Sequence, residues 1–259
     1  MSFAINCIAL FPDAAWQSRT LKRQLLSIHS SLSRVRPFLN VRVAVRVAIL
    51  AAVLALHALQ ATAQVPSNLT LNAQLLLAAR QNDMAQVERV LAQGAAPNSR
   101  NRLGKTPLLM ACEKGNLTLA GRMVGAGADV NLPSLERVTP LMAASYGGHA
   151  PLVSLLLKAG ALVAPLDQMN RSAVVYAAAQ GHAAVIDLLL AAGVDANALR
   201  EHGLTSLMWA AGQGHADAVQ LLLAKGARAD LRDDRGQTAL EMARASGHTS
   251  VAALLSAPP

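Results

Sequence analysis

The sequence predicts an all-α solenoid of stacked helix–turn–helix units joined by β-turn or hairpin loops. Two ladders of glycine with a constant spacing of 33 residues support this prediction: Gly115, Gly148, Gly181, Gly214 and Gly247, and Gly94, Gly127, Gly160, Gly193 and Gly226. A ladder of Thr or Ser keeps the same phase: Thr106, Thr139, Ser172, Thr205 and Thr238. A strict period of this length indicates a repeat protein in which each unit packs on its neighbours. The periodic domain, residues 64–259, divides into six units at about 68–100, 101–133, 134–166, 167–199, 200–232 and 233–256.

The first helix of each unit is predicted to begin after the Thr or Ser of the third ladder. A hydroxyl at this position can accept from the free N–H groups of the first turn. Pro107 and Pro140 then occupy the first helical position, where a missing N–H costs nothing. Small residues follow, such as Ala143 and Ala144, and they allow close helix approach. The first glycine ends this helix, because the chain there needs a left-handed conformation.

The second helix of each unit is predicted from apolar residues at helical spacing. Val185, Leu188 and Leu189 illustrate the pattern, and leucine triplets recur in phase at 155–157, 188–190 and 221–223. The glycine of the second ladder closes this helix. A loop then leads to the next Thr or Ser.

These motifs resemble the ankyrin repeat family, whose consensus has Thr-Pro-Leu-His, Gly-His and Gly-Ala-Asp-Val-Asn at these places. The resemblance covers residues 68–256, and several motifs recur in phase over five units. The first unit is degenerate, since Ala73, Asn82 and Asp83 replace the Thr, Gly and His. We expect the first unit, and the last unit ending at 257–259, to cap the stack.

Two consequences of the resemblance concern histidine. The resemblance implies that a His after the first glycine, present as His149, His182, His215 and His248, makes local hydrogen bonds. The His of the first-helix motif is absent from every full unit, where Leu109, Met142, Val175, Met208 and Glu241 stand instead. We expect apolar packing to replace its hydrogen bonds without a change of fold.

The charge of the chain is uneven. The formal net charge is +8, but residues 1–63 hold seven Lys or Arg against Asp13, a net of +6. The remaining residues hold 16 basic and 14 acidic side chains, a net of +2. A nucleic-acid-binding protein needs a clustered basic face, and the repeats do not provide one, so we expect no nucleic-acid partner.

The basic N-terminal region predicts an export signal at residues 41–63. Arg42 and Arg46 precede an apolar run at 47–59, and a small-x-small cleavage site follows at 61–63, between Ala63 and Gln64. The run is shorter than the ~20 residues of a membrane span. With its high Ala, Leu and Arg content, the chain is typical of a bacterial protein, and we expect a periplasmic location.

Three alternatives remain open for this segment. It can be a cleaved signal peptide, an uncleaved anchor in the inner membrane that leaves the repeats facing the periplasm, or a buried N-terminal helix. Residues 1–40 carry no repeat phase, and we expect them to be untranslated or disordered, with translation beginning near Val41.

No catalytic or phosphate-binding motif is found in the sequence, and we expect no enzymatic activity and no cofactor. The four periodic His residues cannot converge on one metal ion, because stacked repeats lie roughly 10 Å apart whereas Zn–N bonds are ~2 Å.

Cys112 occupies a small-residue position and is predicted to be buried; a redox or enzyme-accessory role for Cys112 or His202 is the alternative. Asp233 and Asp234 are predicted to form a solvated turn.

The resemblance implies a monomeric protein-interaction scaffold that binds a protein or peptide on its concave face, and membrane contact only through an uncleaved segment. The variable positions of the family fall on loop tips and first helices. They are Arg102, Lys105, Glu113, Lys114, Leu135, Glu136, Tyr146, Met169, Arg171, Gln180, Glu201, His202, Gln213 and Arg235. Tyr146 is the strongest anchor candidate, because interface hot spots favour Tyr, Trp and Arg. Tyr176 and Trp209 are predicted to lie in the core between repeats, with exposure at the groove as the alternative.

Overall fold

A computed structural model describes residues 71–256 of the chain. The predicted extension at 1–40, the signal or anchor at 41–63 and the Ala63–Gln64 cleavage site therefore lie outside the described residues. Among residues 71–256, no helix combines the length and apolar character that a membrane crossing requires.

Residues 71–256 form six helical pairs and contain no β-strand. The first helices of the pairs are 71–81 (α1), Pro107–Glu113 (α3), Pro140–Tyr146 (α5), Ala173–Ala179 (α7), Ser206–Gly212 (α9) and Ala239–Ala245 (α11). The second helices are Met84–Ala92 (α2), Leu117–Gly125 (α4), Ala150–Lys158 (α6), Ala183–Ala191 (α8), Ala216–Ala224 (α10) and Thr249–Ser256 (α12). A 3₁₀ turn, Glu201–Gly203, precedes α9. This is the predicted all-α solenoid.

The helix starts confirm most of the predicted caps. Thr106 Oγ1 accepts from Leu109 N at 3.1 Å, and Thr139, Thr205 and Thr238 make the equivalent bond in their own units. The cap predicted for Ser172 is wrong, because its Oγ is buried and has no hydrogen-bond partner among the described residues.

The ends of the first helices show why glycine recurs. Gly115 has a φ of +71°, and Asn116 N donates to Ala111 O at 2.9 Å, which closes the helix with a left-handed residue. In the degenerate first unit Asn82 adopts the same conformation, with a φ of +60°. Asp83 Oδ1 then accepts from Gln86 N at 2.9 Å and caps α2.

One continuous apolar core runs through the stack. First helices pack on neighbouring first helices and second helices on neighbouring second helices. The residues that replace the consensus His of the first helix are buried in four units, namely Leu109, Met142, Val175 and Met208, as predicted. Glu241 differs: it is exposed, and its carboxylate accepts from Thr238 N at 2.7 Å.

Polar side chains connect adjacent repeats at two levels. His182, His215 and His248 each donate from Nε2 to a first-helix carbonyl of the preceding repeat, at 3.0 to 3.1 Å. These bonds link repeats, so the prediction of local hydrogen bonds is corrected. Asn131 and Asn197 likewise bridge to the backbone that follows the next second helix.

Candidate partner-binding groove

A cleft of about 480 Å³ lies where the fourth repeat meets its neighbours, and we call it the aromatic cleft. It is lined by Tyr146, Arg171, Val175, Tyr176, Ala179, Gln180, Trp209, Gln213 and His215. These residues come from the first helices α5, α7 and α9, the loop before α7 and the turns that follow α7 and α9. The 33-residue period therefore places equivalent positions of three repeats side by side.

Two tyrosines form the wall of the aromatic cleft. The rings of Tyr146 and Tyr176 meet edge to face, with centroids 5.9 Å apart and planes at 86°. Tyr146 is 55% exposed, whereas Tyr176 is half-buried. An aromatic ring held in one orientation and still open to solvent can contribute binding energy at a low entropic cost.

Tyr176 is held by a buried carboxylate and a guanidinium. Its hydroxyl donates to Asp167 Oδ2 at 2.5 Å and accepts from Arg171 Nη2 at 2.8 Å. Arg171 Nε donates to the same Asp167 oxygen at 3.0 Å, and Arg171 Cζ lies 4.7 Å from the Tyr176 ring centroid. This network fixes the ring and neutralises the charge of Arg171.

Burial by itself would raise the pKa of the Asp167 carboxyl. The hydrogen bonds from Tyr176, from the backbone and side chain of Arg171 and from the backbone of Met169 outweigh it and hold that pKa below its usual value. The pKa of Tyr176 is raised, first by burial and then by its hydrogen bond to the Asp167 carboxylate. At neutral pH the network therefore holds an ionised Asp167 and a neutral Tyr176.

The other side of the aromatic cleft is polar and carries no carboxylate. Gln180 and Gln213 are exposed at its rim, and Trp209, which also lines the cleft, is half-buried. Each glutamine amide offers two donors and one acceptor, which match the N–H and C=O groups of an extended peptide. The cleft combines aromatic surface with uncharged hydrogen-bonding groups.

The model for ankyrin repeats, built on three copies, matches the chain in three overlapping stretches: residues 75–167, 114–200 and 174–258. Together these stretches cover most of the chain, and their phase agrees with the helical pairs described above. The chain belongs to the ankyrin repeat family. No curated protein shows significant similarity to it.

Ankyrin repeats generally mediate protein–protein interaction, and the structure brings several of the predicted partner-binding residues together. Tyr146, Arg171, Gln180 and Gln213 line the aromatic cleft. Met169, Arg171, Glu201 and His202 line a second cleft between the loops before α7 and α9. Met169 is 54% exposed and the His202 side chain 73% exposed.

The other predicted residues lie outside both clefts. Lys105 Nζ pairs with Glu113 Oε1 at 2.7 Å, and Lys114 donates to the Arg80 carbonyl of the first repeat. Four further residues are exposed at loop tips: Arg102, Leu135, Glu136 and Arg235. Among these, Arg235 Nε donates to the buried carboxylate of Asp233 at 3.0 Å.

Three residues contribute to the site in ways that were not the primary prediction from the sequence. Tyr176 and Trp209 pack against the core, as predicted, but both also line the aromatic cleft, which is the alternative interpretation of their positions. Asp167 was absent from the predicted site although its side chain holds both Arg171 and Tyr176. Its phase could have identified it, because Asn101 and Asp233 occupy the same position of their loops.

Two other predictions about reactive groups can be compared with the structure. Cys112 is fully buried, as predicted, and burial followed by the charge of Glu113 raises its thiol pKa to about 12. The prediction that Asp233 and Asp234 form a solvated turn is wrong for Asp233. This residue is buried, and its Oδ1 accepts from the backbone N–H groups of Arg235 and Gln237. Within residues 71–256, no group of three or more His, Cys, Asp or Glu side chains is arranged to hold a metal ion.

Proposed function

We propose that this ankyrin repeat protein is an exported, non-catalytic scaffold that binds a protein or peptide partner in the aromatic cleft. The edge-to-face pair of Tyr146 and Tyr176 supports the proposal most directly, because it presents an ordered but accessible aromatic surface. Uncharged Gln180 and Gln213 at the rim favour a partner segment whose main chain is accessible.

The role of the aromatic cleft can be tested with a photo-crosslinking amino acid placed at Gln180 in the native host. We expect a covalent adduct with one dominant partner, identified by mass spectrometry. The same amino acid at Leu162, an exposed residue after α6 that lines neither cleft, is the matched control. Equal labelling of the same protein from both positions would contradict the proposal.

A double substitution provides the second test. Tyr146→Ala with Met169→Ala should abolish recovery of the crosslinked partner, whereas Leu162→Ala with Leu199→Ala should leave recovery unchanged. All four side chains are exposed by more than half, so neither pair is expected to disturb folding. The circular dichroism spectrum of each variant should match that of the unmodified protein. If the Tyr146→Ala, Met169→Ala variant still recovers the partner, the surface around these two residues is not the binding site.

Export rests on the apolar run at 47–59 and the cleavage site between Ala63 and Gln64. The mass of the intact protein from its host distinguishes the alternatives. A chain beginning at Gln64 in the periplasmic fraction supports cleavage, and a longer chain in the membrane fraction supports an inner-membrane anchor. A longer chain in the cytoplasm would contradict export.

A further inference from the structure

The loop tips of successive repeats are joined by backbone hydrogen bonds at three junctions. Leu135 N donates to Leu103 O at 3.0 Å, Gln168 N to Glu136 O at 3.2 Å and Asp234 N to His202 O at 3.0 Å. The corresponding bond would join Glu201 N and Met169 O, and it is absent from the described residues. The loops of the fourth and fifth repeats therefore part at their tips.

A second cleft of about 220 Å³ occupies this gap, and we call it the loop cleft. Met169, Leu204 and Trp209 supply its apolar surface, and Arg171 and Arg200 are its cations. Trp209 and Arg171 also line the aromatic cleft, so the two clefts are adjacent and share these two side chains.

Arg200 replaces a residue that stabilises the loop in other repeats. Asn101, Asp167 and Asp233 each use Oδ1 to accept from the backbone N–H groups two and four residues later. Arginine has only donors and cannot do this. The substitution removes an acceptor from the loop of the fifth repeat and adds a cation to its gap.

The cation of Arg200 has no carboxylate partner among residues 71–256. Arg171 and Arg235, for example, each pair with an Asp within 4.0 Å, whereas Arg200, like several other arginines of this range, does not. Arg200 differs from the other arginines of residues 71–256 because its Nε is shielded from solvent and has no acceptor there. A buried donor without an acceptor is costly, so an acceptor that reached the Arg200 guanidinium would stabilise this side chain.

Among the other charged groups around the loop cleft, Arg171 is neutralised by Asp167. Glu201 Oε1 lies 3.6 Å from the exposed His202 Nε2, and this contact is an ion pair only when His202 is protonated. The carboxylate of Glu201 is the one group here that opposes an anion. Arg200, which forms no ion pair among residues 71–256, places a positive charge in the cleft that Trp209 also lines.

We propose that the loop cleft binds a carboxylate that a peptide partner carries beside an apolar side chain. Arg200 donates to the carboxylate, and the apolar side chain packs on Trp209, Leu204 and Met169. This inference rests on the proposed peptide-binding function and names the chemistry of the partner. The carboxylate is either a chain terminus or an Asp or Glu side chain.

The test uses four probes and the indole N–H resonance of Trp209 in the ¹⁵N-labelled full chain, assigned with Trp209→Phe. N-acetyl-phenylalanine carries a terminal carboxylate and N-acetyl-phenylalanyl-aspartate amide a side-chain carboxylate. N-acetyl-phenylalaninamide and N-acetyl-phenylalanyl-asparagine amide are their neutral counterparts. We expect at least one acid to bind roughly tenfold more tightly than its amide, and the identity of that acid distinguishes the two sources.

Substitutions at Arg200 and Glu201 then assign the effect. Arg200→Gln should abolish the preference for the acid, Arg200→Lys should retain part of it and Glu201→Gln should increase it. Equal binding of acids and amides by the unmodified protein would overturn the inference. An acid preference that survives Arg200→Gln would also overturn it. The same holds if no probe shifts the Trp209 indole resonance at concentrations up to about 20 mM, the range of dissociation constants expected of ligands this small.

Failure of this inference is distinguishable from failure of the proposed function. If Tyr146 variants lose the crosslinked partner while acids and amides bind alike, the scaffold function stands and the carboxylate site does not exist. If the probes distinguish acid from amide but no partner crosslinks at Gln180, the carboxylate site stands without the proposed function.

Discussion

The Nε2 atom of His182 lies 3.0 Å from the backbone carbonyl oxygen of Tyr146 in the preceding repeat. Because a carbonyl oxygen only accepts, the imidazole carries its proton on Nε2 in this bond. The bond ties the end of α5, which carries the exposed Tyr146 ring, to the start of α8. A residue that stabilises the stack thus also positions the aromatic cleft.

His182→Ala should destabilise the protein by about 0.5–1.5 kcal/mol, because the hydrogen bond between the imidazole and the Tyr146 carbonyl is lost. His149→Ala is the matched control, since His149 makes no such bond to a carbonyl among the described residues. Urea denaturation of both variants measures the difference. Equal losses of unfolding free energy would show that the bond between repeats contributes nothing beyond packing.

Gly148→Ala should be more destabilising than Gly127→Ala. Both glycines have positive φ, +69° and +83°, so both substitutions strain the backbone by roughly 1 kcal/mol. A Cβ at Gly148 would also lie 2.5 Å from the His182 ring, whereas a Cβ at Gly127 would meet nothing within 4 Å. Thermal unfolding should show the lower midpoint for Gly148→Ala.

A double substitution isolates the steric part of this effect. Gly148→Ala should cost less in the His182→Ala background than in the unmodified protein, because the ring that the new methyl group meets is gone. Additive losses in unfolding free energy would show that the imidazole moves aside at no cost.

Asp167→Asn should destabilise the protein near neutral pH, and the difference from the unmodified protein should narrow in acid. The folded pKa of Asp167 is lowered, so its stabilisation is present above the unfolded pKa of about 3.9 and is lost as the pH falls through the folded value. Urea unfolding at about pH 7 and about pH 3 measures this change. Asp217→Asn, at an exposed carboxylate in α10, serves as the control. A difference that stays constant with pH would show that the Asp167 network makes no ionic contribution.

Cys112 should react with a maleimide only after unfolding. Its thiol is fully buried and its pKa is raised to about 12, so the reactive thiolate is scarce at neutral pH. Mass spectrometry of a Cys7→Ser variant, with and without denaturant, measures labelling at this position alone. Rapid labelling of the native protein would instead favour the redox-accessory alternative.

The local features of this fold were predictable from the sequence. The Thr caps, the glycine ends of the helices and the apolar helix faces depend on residues within one unit, so the 33-residue period reveals them. Ser172 is an exception, because its hydroxyl is buried without the expected bond. A local pattern gives the residue type at the cap, but packing decides whether the hydrogen bond forms.

The candidate site was predictable only in part. Tyr146, Gln180 and Gln213 fall at variable positions of the repeat, and they line the aromatic cleft. Two features of the site were not predictable: the bond between Arg171 and Tyr176, and the lack of a carboxylate partner for Arg200 among residues 71–256. Both depend on side-chain geometry within and between loops.

By itself, the sequence determined the repeat length, the number of units and the helices within each, because these follow from local conformation and hydrophobic spacing. The tertiary structure decided what happens between units. It placed the His182 ring against Gly148 and on the Tyr146 carbonyl, 36 residues away, and it opened one pair of loops while joining others. Contacts between neighbouring repeats depend on how whole units stack, and no single unit of the sequence contains that information.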